Sequence, residues 1–489
     1  MIEQQDISAE ARAFMRSLYG ENKQITDDNY DKSLAVKCIN GTFVGKKKDN
    51  VIAYKGIPFV GKQPVGEQRW KAPVDFVPDE GIYEAYYYGK SPFQADGDPC
   101  SLYVMGEDCL YLNVWKAASE QEQSQACLNS AEREQARPEG KAAEPIAVKK
   151  PVMVWIYGGG FETGGTVDPQ YDCYNFITEN PDVIVVTIAY RLAAYGFMRL
   201  SHLPDGADYP DAQNLGIMDQ MMGLKWVHEN IAAFGGDPDN VTIFGESAGG
   251  SSCTLIALVK GSHQYFKRVI TQSGTPAMTR SKEDSIVWTN EVMEELGCKT
   301  VADLQKVAPE VLTETVGRLF GIYQVLGFRV WPERDGEYLP EDPWEAYANG
   351  AAKDIDYLVG CNKDEMNVFA GALGVEGWNM WANDRMEKKS KLMTDEENAL
   401  VEGYLNSVPG EEWEKTTSLF TQSYFHAPAI RLSEYQTKAG GKAKEWPLYD
   451  LESKQVMILD EFNVHPEKES ERKIVDWERT YFLTKLYCN

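Results

Sequence analysis

The sequence predicts an α/β fold with a central, mostly parallel sheet flanked by helices and interrupted by surface insertions. Short β-branched apolar segments recur along the chain, and helical patterns lie between them. The segments are apolar at successive positions, as strands are when helices cover both faces of a sheet.

The predicted strands lie at 111–115, 152–157, 183–190, 241–244, 268–271 and 357–360. Between the third and the fourth, Met218, Met221, Met222, Leu224, Trp226, Val227 and Ile231 form a helical stripe, which predicts a helix over 218–233. Gly235-Gly236-Asp237-Pro238 then stops it. Residues 117–149 are rich in Glu, Gln, Ala, Ser and Lys and nearly free of large apolar side chains, so they read as a solvated surface excursion. With no internal repeat and no second change of composition, all 489 residues read as one domain.

Hydrophobic residues make up 43% of the chain and charged ones 25%, enough apolar surface for a large core. The net charge of −26 repels phosphate backbones and anionic bilayers, which argues against nucleic-acid and membrane partners. The chain starts without a basic and apolar leader and has no apolar run long enough to span a bilayer, so a cytoplasmic protein is expected. Nine scattered cysteines fit reduced thiols, although Cys100 and Cys109 are near enough in sequence to bridge. Neither the cysteines nor the five histidines have metal-ligand spacing, so no metal or organic cofactor is expected.

The chemistry concentrates at Gly245-Glu246-Ser247-Ala248-Gly249, between the strand 241–244 and a helical run from Ser251. Strand, Gly-x-Ser-x-Gly, helix is the nucleophile elbow of an α/β-hydrolase. The sharp turn lifts the hydroxyl of Ser247 clear of the sheet, and a helix N-terminus behind it favours developing negative charge. Gly158-Gly159-Gly160-Phe161 follows the strand 152–157 and reads as an oxyanion loop, with the N–H groups of Gly159, Gly160 and Ala248 as donors. The plainer reading of those glycines is a flexible turn.

These segments resemble the type-B carboxylesterase family, which contains cholinesterases and bacterial p-nitrobenzyl esterases. The resemblance runs in order through Tyr54-Lys55-Gly56-Ile57-Pro58-Phe59, the stretch 107–115, Tyr157-Gly158-Gly159-Gly160-Phe161 and Ala189-Tyr190-Arg191-Leu192. It continues through Asn214-Leu215-Gly216-Ile217-Met218-Asp219-Gln220, the elbow, and Gln272-Ser273-Gly274. It implies a serine esterase acting on small-molecule esters and leaves the oligomeric state open. In Gly360-Cys361-Asn362-Lys363-Asp364-Glu365 it implies that Glu365 is the acid of the triad, 118 residues after Ser247, with Asp364 pointing elsewhere. Ser273 matches a buried family serine of structural role. Glu246 either supports a cationic group or serves as a structural hydrogen-bonding group.

One element of the family pattern is missing. The family's histidine lies between a region resembling Ser423-Tyr424-Phe425-His426-Ala427-Pro428 and a later Trp-Pro-x-Tyr. Here Trp446-Pro447-Leu448-Tyr449 follows Pro428 by only 18 residues, and the intervening 429–445 contains no histidine. His202, His228, His263 and His426 lie outside the expected position. His465 follows Glu365 as required, but its neighbourhood resembles the family's tail beyond the triad. The sequence therefore supports two readings: a serine carboxylesterase with Ser247 as nucleophile, or a catalytically silent binding protein on the same scaffold.

Overall fold

The structure is a computed structural model that describes residues 9–96, 98–118, 149–320 and 330–441, together with the strands 455–460 and 463–468. Eight strands form the main sheet: β1 (Lys46–Lys48), β2 (Val51–Pro58), β3 (Tyr111–Ala117), β4 (Lys150–Ile156), β5 (Ile184–Ile188), β6 (Gly236–Glu246), β7 (Arg268–Gln272) and β8 (Asp356–Gly360). Their spatial order is β8-β7-β6-β4-β5-β3-β2-β1. The pairings from β5 to β8 are all parallel, and those from β5 through β3 and β2 to β1 are antiparallel. The sheet is thus parallel from β5 to β8, around the strand that carries the elbow, and antiparallel at its other end.

All six predicted strands form, with shifted ends. The segment 183–190 shortens to β5, every residue of which is buried. The segment 241–244 lengthens to β6, so the strand itself delivers the chain into the elbow. At the β8 edge the double burial fails, and Leu358 is 48% exposed. Val51–Pro58 is a further strand, as are four shorter ones in a separate sheet ordered Gln24–Ile25, Asp79–Glu84, Asn40–Val44 and Ala35–Cys38.

The expected helix forms as α1 (Leu215–Asn230), three residues earlier than predicted, and its last expected turn tightens into a 3-10 turn over Ile231–Phe234. Gly235 then closes it at φ 89°, a left-handed conformation open to glycine without strain. Leu224, Trp226, Val227 and Ile231 are buried, whereas Met218, Met221 and Met222 only pack at the margin. The helix is buried around much of its girth, so its polar residues need partners. Asp219, fully buried, accepts from Arg191 Nε at 2.7 Å and Nη2 at 2.6 Å, and Gln220 donates to Ser252 Oγ at 3.1 Å.

α2 (Ala248–Ile256) packs on β4, β6 and β7. Beyond β8 follow α3 (Asn367–Ser390), α4 (Glu412–Thr421), a π-helical turn over Gln422–His426 and α5 (Ala427–Lys438). Ala117 closes β3 and Ala118 is buried, so the polar excursion starts later than expected, and residues 119–148 lie outside the described residues. The shortened stretch begins inside α5, and residues 442–450 lie outside the described residues. Strands 455–460 and 463–468 pair antiparallel with His465 opposite Ile458; the side chain of His465 is not among those described. Cys100 and Cys109 are separate buried thiols, so the bridge that their spacing allowed does not form. Among the described residues no helix is long and apolar enough to cross a membrane.

Candidate active site

The register of the parallel strands lines up the site. Gly245 pairs with Ile156, Glu246 with Gln272, and Gln272 with Gly360. Gly158, Ser247, Ser273 and Glu365 therefore all emerge at the carboxyl ends of adjacent strands, where open α/β sheets place their ligands.

Ser247 joins β6 to α2 at φ 54° and ψ −121°. A non-glycine residue in such a region is strained, by about 1–3 kcal/mol. The surroundings hold it there: its N–H donates to the Gln272 carbonyl at 2.8 Å, and its carbonyl accepts from the Ser251 N–H at 2.9 Å. The flanking glycines answer to space. A β-carbon on Gly249 would lie 2.0 Å from the Ile156 carbonyl oxygen, and one on Gly245 would lie 2.4 Å from the Gly249 carbonyl carbon. The elbow is wedged against the end of β4, leaving Ser247 half-buried at the surface.

The glycine loop faces it. A β-carbon on Gly158 would sit 3.1 Å from Ser247 Cβ and 2.8 Å from Glu246 Oε2, so both side chains lean over the same bare backbone. Gly159 and Gly160 have φ of 106° and 65°. The Gly159 carbonyl accepts from the N–H groups of Glu162 and Thr163 at 3.0 and 2.9 Å, which tightens the loop into one turn. Gln94, 2% exposed, clamps its far end by exchanging two hydrogen bonds with Gly164, at 2.8 and 2.9 Å. Among the described residues, the N–H groups of Gly159, Gly160 and Ala248 donate to no protein acceptor. Backbone donors left open in this way are free to meet negative charge.

Glu365 is 9% exposed, and its Oε1 accepts from Ser273 Oγ at 2.5 Å and from the Asn362 N–H at 2.6 Å. Asp364 is exposed. His426, buried in the π-helical turn, braces the loop that carries the acid. Its ring contacts the Asn362 carbonyl through Nε2 at 2.7 Å and Gln422 Nε2 through Nδ1 at 3.1 Å. A carbonyl only accepts, so Nε2 carries the proton and Nδ1 accepts. His202 is bonded to Asn290 at 3.0 Å, His263 to the Ala257 carbonyl at 2.8 Å, and His228 stands edge-on to Tyr265 at 5.6 Å. The structure thus brings elbow, glycine loop and Glu365 to neighbouring strand ends, while His202, His263 and His426 are hydrogen-bonded to other groups and His228 packs against Tyr265.

Glu246 is exposed as a residue, yet its carboxylate leans against Gly158, where a β-carbon would meet Oε2 at 2.8 Å, and loses part of its hydration there. That desolvation first, and the charge of Glu365 second, push its pKa up to about 7. A second grouping is one that the sequence spacing does not reveal: Asp98, Cys100 and Asp168 bring their ligand atoms within 4.8 Å of one another. The two carboxylates cap short turns by accepting from the N–H groups of Cys100 and Gln170. Burial pushes the Cys100 thiol far up, which disfavours the thiolate that a metal takes.

Known proteins share this architecture. Residues 32–465 match the Carboxylesterase family. The chain is 35% identical over 344 residues to the para-nitrobenzyl esterase of Bacillus subtilis (strain 168), covering 67% of this chain and 62% of that protein. It is 31% identical over 369 residues to the acetylcholinesterase of Leptinotarsa decemlineata, covering 70% and 56%. The matched part thus spans between half and two thirds of these curated relatives. The crystal structure of the Geobacillus stearothermophilus carboxylesterase EST55 aligns with a TM-score of 0.70 at 30% identity, covering 85% of this chain and 80% of that one. The fold is the α/β-hydrolase fold. A match that begins ahead of β1 and runs beyond α5 places the whole of the main sheet and its elbow within one lineage: the chain belongs to the carboxylesterase family.

Proposed function

We propose that the chain is a serine carboxylesterase acting on small-molecule esters. The observation that carries this reading is the strained Ser247, held at a strand end beside open backbone donors. Its hydroxyl attacks the ester carbonyl, and the N–H groups of Gly159, Gly160 and Ala248 receive the oxyanion. The alcohol departs, and water releases the acid from the acyl-enzyme. Cradles of this kind contribute about 10³–10⁴ over water without any triad. Loss of a triad histidine costs up to about a millionfold. Glu365 stands as the acidic member of the site, with Ser273 and Asn362 fixing its carboxylate. We place the enzyme in a reducing compartment such as the cytoplasm, on the strength of unbridged thiols at Cys38, Cys100, Cys109 and Cys253.

A second reading, a silent binding protein, draws on the histidines being engaged elsewhere. Incubation with p-nitrophenyl butyrate and with a fluorophosphonate, beside Ser247→Ala, separates the two. Hydrolysis and labelling that vanish in Ser247→Ala support the esterase. Neither turnover nor label at Ser247 overturns it in favour of the silent scaffold.

A further inference from the structure

A serine that attacks a carbonyl must lose its proton to something within hydrogen-bond reach or one water away. The chain has five histidines, and the four with described side chains hold other partners. A carboxylate stands beside the serine, on the residue before it. Glu246 Oε2 and Ser247 Cβ lie 2.8 and 3.1 Å from a single point, the position of a β-carbon on Gly158. Among the described residues, desolvation and the charge of Glu365 act on the Glu246 carboxylate, with neither a hydrogen-bond donor nor a cation on it, although the residue as a whole is exposed. A crowded carboxylate without a donor, beside a nucleophile, is placed to accept a proton.

We propose that Glu246 is the general base for Ser247 in this chain. Its carboxylate takes the Oγ proton, directly or through one water, as Oγ bonds to the ester carbonyl carbon. The carboxylic acid then returns that proton to the departing alkoxide. In the second half, water attacks the acyl carbon and gives its proton to Glu246, and the proton passes to Ser247 Oγ as the acid leaves. No oxidant, metal or further reactant enters, and each proton taken is returned.

The electrostatics suit the task. Among the described residues two titratable groups face Glu246: Glu365 from the turn after β8, and Tyr171 from the turn beyond the glycine loop, whose own pKa the Glu246 charge helps to raise. A carboxyl held at about 7 is half ionised at neutral pH and is a stronger base than an ordinary glutamate. Near pH 4.5 it is protonated and inactive.

This inference rests on the esterase reading, and the same substrates test both. With p-nitrophenyl butyrate, kcat/KM of the wild-type chain should rise with pH through an inflection near 7. Glu246→Gln keeps the shape of the side chain and should lower kcat roughly 100-fold or more and erase the inflection, at an unaltered fold by circular dichroism. Glu246→Asp should retain the inflection at a reduced rate. Wild-type rate and pH profile in Glu246→Gln overturn the proposal, as does loss of turnover in His465→Ala. Fluorophosphonate labelling keeps the failures apart. Label on Ser247 that forms equally fast in Glu246→Gln removes the base and leaves the esterase; no label in the wild-type chain removes both.

Discussion

The hydroxyl of Ser273 donates to Oε1 of Glu365 across 2.5 Å, so the residue that ends one parallel strand holds the carboxylate that follows the next. Ser273 also donates its N–H to the Gly360 carbonyl at 2.7 Å, fixing the two strand ends before the side chains meet. Hydrogen bonds to charged groups contribute about 1.5–3 kcal/mol. Ser273→Ala should therefore lower stability by about that amount in urea unfolding. An unchanged midpoint would show that the bond is not formed in solution.

Gly249 tests the elbow. The 2.0 Å approach to the Ile156 carbonyl oxygen involves backbone on both sides, so an added methyl group cannot be relieved by a rotamer change. Gly249→Ala should cost about 1–3 kcal/mol or more in stability and slow fluorophosphonate labelling of Ser247. Full labelling speed with an unshifted thermal midpoint would refute the close packing.

Asp219 and Arg191 lock α1 to the chain leaving β5, and both side chains are almost wholly buried. Removing one charge strands the other in a dry interior. Asp219→Ala should lose about 3–5 kcal/mol by chemical denaturation, and the double variant Asp219→Leu with Arg191→Met should recover much of it. Equal losses in the single and double variants would contradict this.

Glu246 makes a stability prediction separate from catalysis. Its pKa rises from an ordinary 4.5 to about 7 on folding, so the folded chain binds the extra proton more tightly than the unfolded one. The destabilisation is nil below pH 4.5, grows as pH rises from 4.5 to 7, and is complete above. Glu246→Gln should melt above the wild-type chain at pH 8, and the gap should close towards pH 4.5. A gap that does not vary with pH would show that Glu246 titrates normally.

Strand, elbow and glycine loop were legible in the sequence because each is written locally, within a few residues of Ser247 or Gly159. Helix α1 was legible in kind but not in its ends, since Asp219 and Gln220 are buried by partners that periodicity does not reveal. Val51–Pro58 was not among the predicted strands; it contains Gly56 and Pro58, residue types that disfavour strands, and the Gly56 N–H is satisfied by the buried Asn113 side chain at 2.9 Å. The supports of the site were illegible. Ser273 and Glu365 are 92 residues apart, His426 and Asn362 are 64 apart, and Gln94 and Gly164 are 70 apart. Such pairings exist only once the strand ends have been brought into line.

The backbone angle at Ser247 also sets a thermodynamic cost on that residue's identity. Glycine takes a φ of 54° without penalty, so Ser247→Gly would leave a sturdier protein. Ser247 thus occupies a place where it weakens the fold, a cost set against the use of its hydroxyl proposed above.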